Sequence, residues 1–174
     1  MRAALLIAAM IWAAPALAQS QDLVLTAGET VTVRLDQGVV TVVRREPAQL
    51  SALERKWAQE SDNGEHDDAG GPTGKPIQVG PNGAEPVKAD PDTLRFTFAP
   101  TSGNGTLLSI ANGYDRALSY RATMWLKGKS QATDVCIVMP NRSGLEHWPH
   151  PIDRMSLSDL RLVPWQEGDP VPCS

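Results

Sequence analysis

The chain has 174 residues, with 20 acids against 16 bases and a formal charge of −4. That balance, with no basic stripe, argues against a nucleic-acid binder. The two cysteines, Cys136 and Cys173, are too far apart for a C-x-x-C redox pair.

Residues 1–18 carry an export pattern. Arg2 supplies a positive start, AALLIAAMIWAA an apolar run, and PALA an A-x-A site with cleavage expected after Ala18. The apolar run is shorter than the roughly 18 residues that a membrane-spanning helix needs. The expectation is a bacterial protein, periplasmic or secreted, with no transmembrane anchor after cleavage. Residues 19–174 are then enough for one domain with its own core.

Three short strands follow. DLVLT ends at the turn residues Ala27-Gly28. ETVTVRL alternates, with Val31, Val33 and Leu35 on one face and Thr30, Thr32 and Arg34 on the other. DQG then turns the chain into VVTVVRR. Period-two alternation, β-branched residues and glycine turns are the mark of hairpins. From Pro47 to Glu60 the pattern changes. Leu50, Leu53 and Trp57 recur at helical spacing, and Ser51 with Glu54 fits a capping box. Trp57 is expected to pin this short helix to a sheet.

Residues 46–92 hold half of the twenty acids and few bases. Within them, residues 61–92 are rich in Gly, Pro, Asp and Asn and offer almost nothing to bury. Such a stretch cannot offset its ordering entropy, so a mobile acidic loop is expected. The stretch beginning DNGEHDD lacks the regular acid alternation and closing glutamate of a calcium loop.

Alternation resumes at Thr93. TLRFTFA sets Leu94, Phe96 and Phe98 inward, PTSGNG turns, TLLSIA follows, and Asn112-Gly113 turns again. ALSYRATMWLK places Leu118, Tyr120, Ala122, Met124 and Leu126 on one face, and ATDVCIVM runs on to Pro140. These four strands are expected to form an antiparallel meander. MSLSDLRLV, residues 155–163, reads as a last strand bulged at Ser158-Asp159. The fold class that results is all-β: an antiparallel β-sandwich of immunoglobulin-like architecture, with one short helix and a long mobile loop. An oxidising compartment and an even cysteine count predict a Cys136–Cys173 disulfide holding the irregular tail. On the chain-entropy model it contributes roughly 3–4 kcal/mol.

SGLEHWPHPI, residues 143–152, concentrates the chemistry-bearing side chains. A zinc site needs three or four converging ligands. His147 and His150 are three apart, but Pro149 and Pro151 exclude a regular helix that would align them. The expected reading is a connector stiffened by prolines, with Trp148 packed on the sandwich edge. Glu146, His147, Trp148 and His150 form the candidate recognition loop. Ser143, His147 and Asp153 compose a catalytic triad on paper only, since the G-x-S-x-G frame is missing. Trp125, Trp148 and Trp165 would make a ligand platform if they shared a face, although packing roles are the plainer expectation.

No catalytic residue, metal or cofactor is assigned. The expected function is an exported, non-catalytic binding or accessory module of the bacterial envelope, its partner an envelope protein, a peptide or a glycan. Two alternatives stand beside it. One is a small metal-dependent envelope hydrolase using His147, His150 and Glu146. The other is an assembly component that pairs through edge strands.

Overall fold

The structure is a computed structural model that describes residues 22–64 and 87–173. The export segment and residues 65–86 of the acidic stretch lie outside the described residues. The strands are β1 (Leu23–Thr26), β2 (Glu29–Asp36), β3 (Val39–Pro47), β4 (Leu94–Pro100), β5 (Thr106–Asn112), β6 (Ala117–Leu126), β7 (Lys129–Thr133), β8 (Ser143–Trp148) and β9 (Arg154–Val163). Helix α1 spans Ala52–Asp62. Two antiparallel sheets face each other, in the orders β1-β9-β6-β7 and β3-β2-β4-β5-β8. The expected all-β sandwich is present.

Alternation explains the core. Val31, Val33 and Leu35 of β2 and Leu94, Phe96 and Phe98 of β4 point between the sheets and are buried. They meet Leu118, Tyr120, Ala122 and Met124 of β6 and Met155 and Leu157 of β9. The predicted bulge in β9 is real. Asp159 has φ +53°, and the β6–β9 register shifts between Ser119 and Arg121. That extra residue resets the phase, so that Leu160 returns to the core beside Met155 and Leu157.

Three expectations are corrected. The meander is broken, because β5 belongs to the five-stranded sheet and β6 to the other. Asn112-Gly113 is therefore a corner between sheets. The Asn112 amide makes that corner, donating to the carbonyls of Arg116 (2.8 Å), Val138 (3.1 Å) and Met139 (3.1 Å) while its oxygen accepts from Tyr114 N (3.0 Å). Second, the strand expected to run to Pro140 ends at Thr133, leaving isolated bridges at Cys136 and Val138. Third, the connector reading of residues 143–152 fails over its first six, which form β8 along β5. Only the stretch after Trp148 connects strands. Thr106 holds it, its hydroxyl donating to His150 O (3.0 Å) and accepting from Ile152 N (2.9 Å).

The disulfide joins Cys136 to Cys173 and bridges the tail to the segment beyond β7. Its sequence separation is 37 residues.

The bulge gives a direct test of register. Because the bulge sets Leu160 in the core, Leu160→Ala should cost about 2–5 kcal/mol in a urea melt, the scale of one buried leucine truncated to a cavity. Asp159→Gly, which suits a positive φ, should keep wild-type stability within about 1 kcal/mol.

Candidate functional site

The helix begins as its sequence dictates. Ser51 caps α1, its hydroxyl accepting from Glu54 N (3.2 Å) while the Glu54 carboxylate accepts from Ser51 N (2.6 Å). Glu54 is 2% exposed, and its other oxygen accepts from the Ser109 hydroxyl on the outer face of β5. A buried carboxylate is tolerable when such partners surround it. The helix thus lies on the outer face of the five-stranded sheet. Farther along that face, Thr30 and Thr97, both fully buried, satisfy each other at 3.1 Å.

The other end of α1 is less obvious. Asp62 ends the helix, where the dipole disfavours a negative charge, and no base occupies the last turn. The structure compensates from outside. His147 Nε2 lies 2.8 Å from Asp62 Oδ1, Thr101 Oγ1 donates to the same oxygen at 2.9 Å, and Gly103 N donates to Oδ2 at 2.9 Å. An ionised carboxylate only accepts, so Nε2 carries the hydrogen. Thr101 is fixed in turn by Gly105 N at 2.9 Å. Trp57, one turn back on the helix, meets the His147 ring edge-on at 6.2 Å between centroids. It pins the helix as expected.

The two turn glycines are needed here. A Cβ on Gly103 would lie 2.5 Å from the Asp62 carboxyl, and one on Gly105 would lie 2.6 Å from both Asp62 Oδ1 and His147 Nε2. The PTSGNG turn is thus a cradle for a carboxylate. Burial alone would raise the Asp62 carboxyl. The hydrogen bonds from Thr101, His147 and Gly103, with the His147 charge, outweigh it and hold the group below its ordinary value. The Asp62 and His147 side chains are 7% and 9% exposed. This is an enclosed clamp between helix, turn and edge strand.

Glu146 has a different environment because strand neighbours point to opposite faces. Trp148 belongs to the inter-sheet core, so Glu146 points inward and His147 outward. Glu146 Oε1 accepts from Cys136 N at 3.0 Å, tying β8 to the segment that carries the disulfide. Burial raises its carboxyl from the ordinary 4.5 to about 7, the Cys136 hydrogen bond opposes this, and Asp134 adds to it. Tyr120, fully enclosed nearby, is pushed well above the usual phenol range by burial and then by Glu146.

The candidate recognition residues therefore do not converge. Glu146 faces the core, His147 is committed to Asp62, and Trp148 is 8% exposed with Nε1 donating to Thr133 Oγ1 at 2.9 Å. His150 Nε2 is enclosed without a protein partner among the described residues. No three His, Cys, Asp or Glu side chains among the described residues could hold a metal ion together. The paper triad is not assembled either: Ser143 Oγ donates to Val87 O at 2.6 Å, and the carboxylate on His147 is Asp62 rather than Asp153. Nor do the tryptophans share a face. Trp125 lies on the outer side of the other sheet under Arg154, whose guanidinium carbon is 4.4 Å from the ring centre.

Asp62 was missed because residues 61–92 read as one mobile loop. Both described ends of that stretch are ordered. Ser61 Oγ donates to Trp57 O, and Asp90 O accepts from Thr93 N and its hydroxyl.

A second feature, unmarked in the sequence, lies at the sandwich end formed by the β2–β3 turn and the β5–β6 corner. A cleft of about 590 Å³ is lined there by Asp36, Asp92 and Asp115, by Arg116 and Arg161, and by Tyr114. Tyr114 is held rigidly, its hydroxyl accepting from Leu35 N at 2.8 Å and its own N bonded to Asn112. Fold and site together define an antiparallel β-sandwich with a disulfide-tied tail and a helix clamped to one sheet. Comparison with protein-family models, curated proteins and solved structures found no match.

The two carboxyls set opposite pH limits. Folded Glu146 keeps its proton up to about pH 7 whereas the unfolded chain releases it near 4.5, so stability falls as pH rises through that window, by about 3 kcal/mol in full. Asp62, held low, contributes stability that is present above its ordinary 3.8 and lost as pH falls through its folded value. Chemical melts across pH should show a maximum near pH 4, between the two ordinary values of 3.8 and 4.5. Glu146→Gln should flatten the neutral side, and an unchanged slope would contradict the assignment.

Proposed function

We propose that the protein is an exported, non-catalytic β-sandwich module of the bacterial envelope that binds a small polar segment of a peptide or glycan in the cleft around Tyr114. The cleft carries this reading. Its volume suits a small ligand, and it sits at a sandwich end where turns rest on a rigid scaffold. Three carboxylates and two guanidiniums on its wall suit a ligand offering both donors and acceptors, such as a peptide backbone end or an amino sugar.

Export is supported by the pattern of residues 1–18 and by the disulfide, which persists in oxidising compartments. The non-catalytic reading is supported by what His147 and Glu146 already do. Each has its acid–base atom engaged in holding the fold.

An NMR titration of labelled protein with pools of short peptides and envelope oligosaccharides tests the proposal. Shifts should cluster at Asp36, Asp92, Tyr114 and Arg116, and Arg161→Ala should weaken binding at least tenfold with the fold intact. Shifts centred on residues 143–152, or turnover of a pool member, would contradict it.

A further inference from the structure

Strand β3 is the edge of the five-stranded sheet, paired with β2 on one side only. Val39, Val42 and Val43 on it are 50%, 45% and 54% exposed. Natural edges are usually blunted by charge, proline, bulges or shortness. β7 is short and polar, and β1 is four residues long. β3 has its protection at one end. The bulge at Val43, the residue that the β2–β3 register skips, then Arg44, Arg45, Glu46 and Pro47, protect the far end and leave residues 39–42 regular and unguarded.

The stretch from that open segment to the bulge, Val-Val-Thr-Val-Val, reads the same in both directions. An antiparallel partner with the same sequence can align on it about Thr41, setting Thr41 against its own copy, Val40 against Val42, and Val39 against the bulged Val43. Every pair is then β-branched, the favoured kind across strands. We propose that two copies of this chain pair through β3, with a two-fold axis at Thr41, to form one continuous ten-stranded sheet.

Side-chain faces support this register. Val40 packs against the core and Val42 pairs with inward Val33, so both copies would extend the inter-sheet core across the axis. Charge is complementary as well. Arg44 pairs with Thr32 on the outer face, and because the bulge puts Val43 and Arg44 at one ladder position, it lands beside Val39 of the second copy. The β2 neighbour of Val39 is Asp36, exposed on the same outer face. The pairing shares Asp36 and the β2–β3 turn with the cleft, but Thr41 does not line the cleft and Arg161 is not on β3, so variants at these two positions separate the proposals.

The test uses the mature exported protein. Sedimentation should show a concentration-dependent dimer. Thr41→Lys, which sets two like charges on the axis, should weaken association at least tenfold while leaving circular dichroism unchanged, and the thermal midpoint unchanged at concentrations where both proteins are monomeric. Thr41→Cys gives a further reading, because the native cysteines are already paired. Mild oxidation should cross-link it into a covalent dimer, whereas Ser130→Cys on the distant β7 edge should stay monomeric. A wild-type monomer up to about 1 mM, the weak end of specific association, would overturn the proposal. So would a dimer that survives Thr41→Lys, or equal cross-linking of both cysteine variants.

Discussion

A single carboxylate, Asp62, fixes the helix on the sandwich. Its position at the C-terminal end of α1 is unfavourable by the helix dipole, and three donors from two other elements reverse that cost. The constraint spreads outward. It requires glycine at 103 and 105, fixes the β4–β5 turn, and turns β8 into a strand covered on its outer face by Trp57 and the helix. The capping box and Glu54–Ser109 hold the opposite end of the helix. The five-stranded sheet is thereby clad at β5 and β8, while its far edge, β3, stays open.

The alternation of β8 then separates two residues that look like partners in the sequence. Glu146 enters the seam between the sheets and His147 leaves it. Their environments drive carboxyl chemistry in opposite directions. Glu146 is desolvated with one donor, so its proton is retained to about pH 7, whereas Asp62 has three donors and stays ionised. Perturbed groups of this kind often mark active sites. Here both are engaged in closing the fold, which supports placing the proposed ligand in the more open cleft at Tyr114.

The sandwich was legible because period-two alternation, glycine turns and the capping box are local signals. The β9 bulge was legible too, since Met155, Leu157 and Leu160 break phase at Ser158-Asp159. What stayed hidden is non-local. β8 does not alternate cleanly because its outward His147 and inward Trp148 are both enclosed. Two prolines after it also suggested a connector. Asp62 and His147 are 85 residues apart, so neither announces the other. Asn112-Gly113 has hairpin chemistry, yet the three carbonyls around the Asn112 amide use it to change sheets.

The account depends most on the Asp62–His147 contact, and a double-mutant cycle measures it directly. Unfolding free energies of wild type, Asp62→Asn, His147→Ala and the double variant at pH 6 should give a coupling of about 1.5–3 kcal/mol, the range for a charged hydrogen bond. Additive effects, within about 0.5 kcal/mol, would mean that the helix is held by packing alone and would contradict the clamp.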